Sequence, residues 1–222
     1  MLILACHGAK VLVADRFISP WDPDYHPQFY TLLKESVKNR WTKIDQRPLD
    51  RVLSQGQYPP EIITLCSCSL EKLSIVWDSG IDIVISNAVV EHLYDLKSAF
   101  YHLARVTKPE GLGVHQVDFR DHRDYSHPLE HLLMREDEFY GKFKAQQGEF
   151  GKRFRPREMQ ELFELAGFEL KEFFPDIFTD ERYLDEFLGR LRQAQKSRYR
   201  NCPVENLRFL SGRFLAVKKG LA

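Results

Sequence analysis

Ile81-Asp82-Ile83-Val84-Ile85-Ser86-Asn87-Ala88, then Glu91-His92, and after a helical stretch Lys108-Pro109-Glu110-Gly111-Leu112-Gly113, together decide the fold of this chain. Residues 81–85 are short, β-branched and bounded by Gly80 and Asn87, which predicts a strand buried on both faces of a parallel sheet. In open α/β sheets ligands bind outside the carboxyl ends of the strands, so Ser86, Asn87 and Ala88 are expected to face a ligand crevice.

Working outward, strands and helices alternate as a doubly wound sheet requires. Residues 10–14 read as a strand, 27–39 as a helix, 62–66 and 81–86 as strands, 96–106 as a helix and 112–119 as a strand. A polar insertion at about 120–151 is too long for a simple connection and is predicted to carry a helix over 128–145. Met159, Leu162, Phe163 and Leu165 fall at helical spacing ahead of Gly167 as a stop. Residues 168–174 resume as strand, and 207–218, interrupted at Ser211-Gly212, read as the last strand. A single domain over 1–222 is expected, with no internal repeat and no linker.

Composition agrees. A chain of 222 residues with 43% apolar content can bury a substantial core. With 32 basic and 32 acidic residues there is no net charge to attract nucleic acid in general. Cys66 and Cys68 make a C-x-C, and Cys6 and Cys202 lie far away, so reduced thiols in a cytoplasmic protein are expected. No run approaches the length needed to span a bilayer, and residues 1–5 lack a basic leader.

The run from Asp82 to His92 and the run Arg105-Val106-Thr107-Lys108-Pro109-Glu110-Gly111 resemble the class I S-adenosylmethionine-dependent methyltransferases (methyltransferase type 11-like). There D-x-V-x-S-N-A-V-x-E-H closes the fourth strand and R-V-x-K-P-x-G closes the following helix, although Glu110 stands here where a small residue is usual. Residues 8–15, read as a second strand ending in an acid, and Phe154-Arg155-Pro156-Arg157-Glu158 through Ala166-Gly167-Phe168 extend the resemblance over most of the chain. It implies a Rossmann-like, doubly wound, mostly parallel sheet with an antiparallel last strand, and S-adenosylmethionine as cofactor. Asp15 would bind the ribose hydroxyls or, on a plainer reading, cap a loop. Phe17 would pack near the adenine, Cys66 and Ser67 stand where the adenine amino group is read, and Ser86, Asn87 and Ala88 complete the expected cofactor contacts.

One family element is missing. The first strand and its E-x-G-x-G-x-G loop, whose bare backbone approaches the methionine part of the cofactor, have no counterpart; the lone G-x-G is Gly111-Leu112-Gly113. The fold is therefore expected in an N-terminally truncated form, either a fragment with a misplaced start or a natural short form. Loss of a central strand would leave its neighbours with unpaired backbone groups and exposed apolar faces.

For the acceptor, His115, Asp118 and the dense run through Asp124 follow the fifth family strand. His122 with Asp121 would supply a catalytic base, or the run is a solvated loop of local ion pairs. His92, His115, Asp118 and Arg155 are expected at the substrate, a small molecule or a glycan precursor methylated on oxygen or nitrogen. Some class I O-methyltransferases hold a divalent metal on E-x-x-E-H, but Ala88 replaces the first Glu and no metal is expected. His127 and His131, four apart, are expected at the surface. The basic groups 152–157 and 190–200 are candidates for an acidic substrate or are solvated faces.

Two other readings remain. Ser86-Asn87-Ala88 and Tyr140-x-x-x-Lys144 echo short-chain dehydrogenases, but Val89 replaces the glycine and Glu91-His92 has no role in that scheme. A methyltransferase-like domain that binds without turnover is the stronger alternative.

Overall fold

The computed structural model describes residues 1–41, 43–73, 78–146 and 149–220, and the chain forms two compact units, residues 1–73 and 74–222. The first holds α1 (Leu2–Cys6), β1 (Val11–Asp15), α2 (His26–Arg40), α3 (Arg47–Gln55), β2 (Ile63–Ser67) and a 3-10 turn at Leu70–Lys72. β1 and β2 pair in parallel from Val11↔Ile63 to Asp15↔Ser67. Leu2, Cys6, Tyr30, Val37, Leu49, Val52 and Ile63 form the core of this unit. α3 was not expected; Pro48 near its start, Leu49 and Val52 three apart, and Gly56 in the left-handed region at φ 60° explain where it begins and ends.

The second unit contains β3 (Ile81–Asn87), a 3-10 turn at Val90–His92, α4 (Leu96–Val106), β4 (Thr107–Asp118) and a 3-10 turn at Glu130–Leu133. It continues with α5 (Glu136–Ala145), α6 (Pro156–Leu165), β5 (Phe168–Phe178), α7 (Glu181–Gln193), α8 (Val204–Arg208) and β6 (Phe209–Lys218). The sheet order is β3-β4-β6-β5. β3 runs parallel to β4, with Asn87 opposite Gln116, and the last strand, β6, is antiparallel to both β4 and β5. This α/β arrangement, with parallel strands connected through helices and an antiparallel last strand, is Rossmann-like.

α4 spans the predicted residues because Asp95 caps it, accepting the Ser98 N–H at 3.0 Å, while Leu96, Ala99, Phe100, Leu103 and Val106 repeat at helical spacing on its buried face. The helix expected over 128–145 is instead a 3-10 turn and α5, separated by extended backbone at Met134 and Arg135; residues 147 and 148 of the insertion lie outside the described residues. α7 lies where only a basic group was expected. Its Leu184, Phe187 and Leu191 pack with Leu129, Leu132, Tyr199, Leu207 and Leu210, and Asp180 caps it by accepting the Tyr183 N–H at 2.9 Å.

β3 corrects the expectation of burial on both faces. Ile83 and Ile85 are 52% and 56% exposed. Among the described residues β3 pairs with β4 alone, so its other edge and the adjoining side chains lack a neighbouring strand to cover them. β1 likewise pairs with β2 alone.

Candidate functional site

Chemistry-bearing groups of the second unit gather at the carboxyl ends of β3 and β4. Ala88, at φ 52°, turns the chain sharply out of β3, and its N–H donates to the Gln116 carbonyl at 3.1 Å. The next turn carries Glu91 inward and His92 beside it. Glu91 is 2% exposed. Its Oε1 accepts the Asp118 N–H at 3.1 Å, whereas its Oε2 is buried without a hydrogen-bond partner. Burial pushes its carboxyl up to about 7, against backbone N–H bonds that favour the ionised form.

His122 arrives from the far end of β4. Its ring meets His92 edge-on with centroids 5.0 Å apart, and donor atoms of Glu91, His92 and His122 all lie within 4.8 Å of one another. Asp118 stands alongside, its Oδ2 3.7 Å from His122 Nε2 and 2.6 Å from Arg120. Burial raises its carboxyl, but the adjacent His122 imidazole and the hydrogen bonds from Arg120 prevail and hold it well below the usual carboxylate range. The end of the insertion and the residue after it fix this geometry: the His122 N–H donates to the Phe150 carbonyl at 3.2 Å and the Lys152 N–H to the Glu91 carbonyl at 2.8 Å.

Several expected site residues lie elsewhere. Asp121 does not pair with His122; it is buried and bonded to Arg123, so Asp118 is the carboxylate beside His122. His115 sits in the core, its Nδ1 2.8 Å from Ser86 Oγ and its ring 5.2 Å from that of Phe163; burial depresses its pKa to about 4. That contact turns Ser86 toward the protein. Arg155, 1% exposed, bonds the carbonyls of Asn206 at 3.0 Å, Phe119 at 2.9 Å and Phe209. It is a structural clamp, and burial lowers its pKa to about 10. Lys152 and Arg153 are buried as well, whereas Arg157 is exposed and pairs with Glu161, so only the last residue of the 152–157 group is a solvated basic one. His131, expected at the surface, is fully buried, and burial depresses its pKa to about 3; His127 is exposed and bonded to Asp124 at 2.7 Å. Glu91 was noted in sequence only as a partner of His92; its place at the closing strand end was the available signal.

In the first unit, Asp15 and Ser67 end the paired strands β1 and β2 opposite each other. Asp15 Oδ1 accepts the Phe17 N–H at 2.8 Å, and the Phe17 ring is 79% exposed. Cys66 is buried, with its Sγ 2.7 Å from that of Cys68.

A family model described as a methyltransferase domain matches residues 19–172, more than half of the chain. The chain belongs to the methyltransferase-domain family. Among curated proteins no sequence match is found. Among solved structures, a methyltransferase dependent on S-adenosylmethionine from Methanosarcina mazei is similar at 14% identity and a TM-score of 0.52, over 97% of this chain and 85% of that one; this likeness shows the class I fold. The phosphoethanolamine N-methyltransferase 2 of Haemonchus contortus, solved with S-adenosyl-L-methionine, matches at 17% identity and a TM-score of 0.44, over 78% of this chain. The chain spans 40% of that enzyme's length. The YcgJ protein of Bacillus subtilis matches at 11% identity and a TM-score of 0.43, over 99% of this chain and 98% of that one.

S-adenosylmethionine is the cofactor that goes with this methyltransferase family, and the residues present fit its two halves unequally. Asp15 and the open Phe17 ring suit a nucleoside at a strand end. For the methionine half, Gly111 and Gly113 offer no cradle. A Cβ on Gly111 would lie 2.9 Å from the Lys108 carbonyl and one on Gly113 2.7 Å from His115 Nε2, so both glycines are pressed against protein. Among the described residues no helix is long and apolar enough to cross a membrane.

Proposed function

We propose that this methyltransferase-family chain methylates an oxygen or nitrogen of a small molecule or glycan precursor, with the acceptor held at the carboxyl ends of β3 and β4. The observation that carries the reading is the convergence of Glu91, His92 and His122 within 4.8 Å at that edge, where open α/β sheets bind their ligands. The cofactor, when bound, supplies an electrophilic methyl group on sulfur. The chain's own residues supply position: in the first unit Asp15, Phe17 and Ser67 suit the nucleoside, and in the second Asn87 and Ala88 offer strand-end backbone and polar groups. His92 and His122 orient the acceptor's lone pair, with Asp118 fixing the His122 ring. A cytoplasmic location goes with this reading and suits four unbridged cysteines.

The second reading is a domain that binds without turnover. It is favoured by the packed glycines of β4, which offer no cradle for the methionine half. Calorimetric titration with S-adenosylhomocysteine, with Asp15→Ala as control, tests the cofactor site, and micromolar binding lost in the variant supports it. Transfer of a labelled methyl group then separates the two readings and identifies the acceptor, whereas binding without transfer favours the second. A folded chain that does not bind at all excludes the enzyme.

A further inference from the structure

We infer that Glu91, His92 and His122 form a binding site for one divalent metal ion of the zinc class. The donors come from two separated pieces of chain, the turn after β3 and the segment after β4, yet all lie within 4.8 Å of one another. Donor atoms around a four-coordinate zinc ion stand ~3.3 Å apart, so modest side-chain rotation closes the cage. A carboxylate oxygen of the buried Glu91 has no hydrogen-bond partner, and neither does the buried Nε2 of His122. Both are lone-pair donors, and a polar atom removed from water without a partner carries a desolvation cost that a cation between them would offset.

The surroundings hold the donors in place. Phe150 and Lys152 tie the backbones of His122 and Glu91 through the two N–H bonds already described, and Gly151 between them lies in the left-handed region at φ 72°. A Cβ on Gly151 would come 3.3 Å from His122 Nε2; the bare glycine leaves that space open beside the donor nitrogen. Asp118 Oδ2 stands 3.7 Å from the same nitrogen, a neighbouring carboxylate whose negative charge favours a cation there.

Two imidazoles and one carboxylate suit zinc or a neighbouring first-row ion, whereas magnesium and calcium prefer all-oxygen sets. Three protein ligands leave a fourth position for water or for an oxygen or nitrogen of a bound molecule. The site does not depend on methyl transfer, so it is tested without the cofactor.

The experiment is calorimetric titration of the chelator-stripped full chain with Zn²⁺, repeated with Co²⁺ followed by visible absorption. The variants are Glu91→Gln, which keeps shape and the acceptor for the Asp118 N–H, His122→Ala, and His127→Ala as a control outside the site; far-UV circular dichroism confirms that each is folded. The expected result is one ion per chain with a four-coordinate Co²⁺ spectrum. Binding should weaken in Glu91→Gln and in His122→Ala by more than the roughly 10–100-fold typical of losing an outer partner, and stay unchanged in His127→Ala. No stoichiometric binding overturns the proposal. So does binding that survives both substitutions, or that disappears instead on replacing Cys66 and Cys68 with serine.

Discussion

Replacing Arg155 by methionine should unfold the second unit early while leaving ligand contacts untouched. The guanidinium joins three backbone carbonyls, those of Phe119 just after β4, Asn206 in α8 and Phe209 at the start of β6. Methionine fills similar volume but donates nothing. Hydrogen bonds from a charged donor contribute about 1.5–3 kcal/mol each. The low end applies here, because removing the guanidinium also recovers its own cost of burial, and three bonds at about 1.5 kcal/mol give about 4–5 kcal/mol. With a urea dependence of about 2–3 kcal/mol/M, the unfolding midpoint followed by far-UV circular dichroism should fall by roughly 1.5–2 M. Arg155→Lys should recover only part of this, since one ammonium cannot reach three carbonyls in a plane. A midpoint within about 0.3 M of the parent's, together with weakened acceptor binding, would refute the clamp and restore Arg155 as a substrate contact.

Acid should destabilise the second unit through its buried imidazoles. His115 and His131 have native pKa values depressed to about 4 and about 3 from 6.5, so the unfolded chain takes up protons first and the stability present above pH 6.5 is lost as pH falls. At pH 5 each should cost about 2 kcal/mol, and His131→Gln or His115→Gln should flatten that slope in urea titrations; a slope unchanged in both variants would show the rings are not buried neutral. Ser86→Ala should cost about 1–2 kcal/mol by removing the partner of His115 Nδ1, read from the same melts, and a neutral result would show that the contact is not formed. Ile83→Lys with Ile85→Thr should shrink light-scattering aggregates and change stability by less than about 1 kcal/mol, because both side chains are more than half exposed; a loss of several kcal/mol would mean that they are covered.

What could be read from sequence was local. α4 was legible because its cap, its apolar spacing and the break at Lys108-Pro109 all agree. β4 from Leu112 onward and β6 were legible because apolar runs between turn residues have few alternatives, whereas Thr107 to Gly111, read as the close of the helix, already belongs to β4. α7 was equally readable from Asp180, Leu184, Phe187 and Leu191, but Arg190 and Arg192 near its end read as the start of the basic group 190–200. The site was legible only at β3. Glu91-His92 announced itself, whereas the choice of Asp118 over Asp121 as the neighbour of His122 depends on which carboxylate Arg123 takes. Arg155 and His131 read as polar and turned out buried, because spacing alone cannot show that a guanidinium will find three carbonyls.

The exposure of β3 bears directly on the site, since an edge strand paired on one side would ordinarily be a poor platform for fixed donors. Its carboxyl end, however, is anchored by bonds that do not need a second neighbouring strand. The Ala88 N–H reaches the Gln116 carbonyl at 3.1 Å, Ser86 meets His115 at 2.8 Å, the Asp118 N–H reaches Glu91 at 3.1 Å, and the Lys152 N–H reaches the Glu91 carbonyl at 2.8 Å. Each ties β3 or its following turn to β4 or to the segment after the insertion, all within one unit. The Glu91, His92 and His122 cluster should therefore keep its geometry when the outer edge of β3 is altered. Ile83→Lys with Ile85→Thr thus serves as a control for metal titration: a solubilised edge with unchanged Zn²⁺ affinity would show that the site is held from the β4 side.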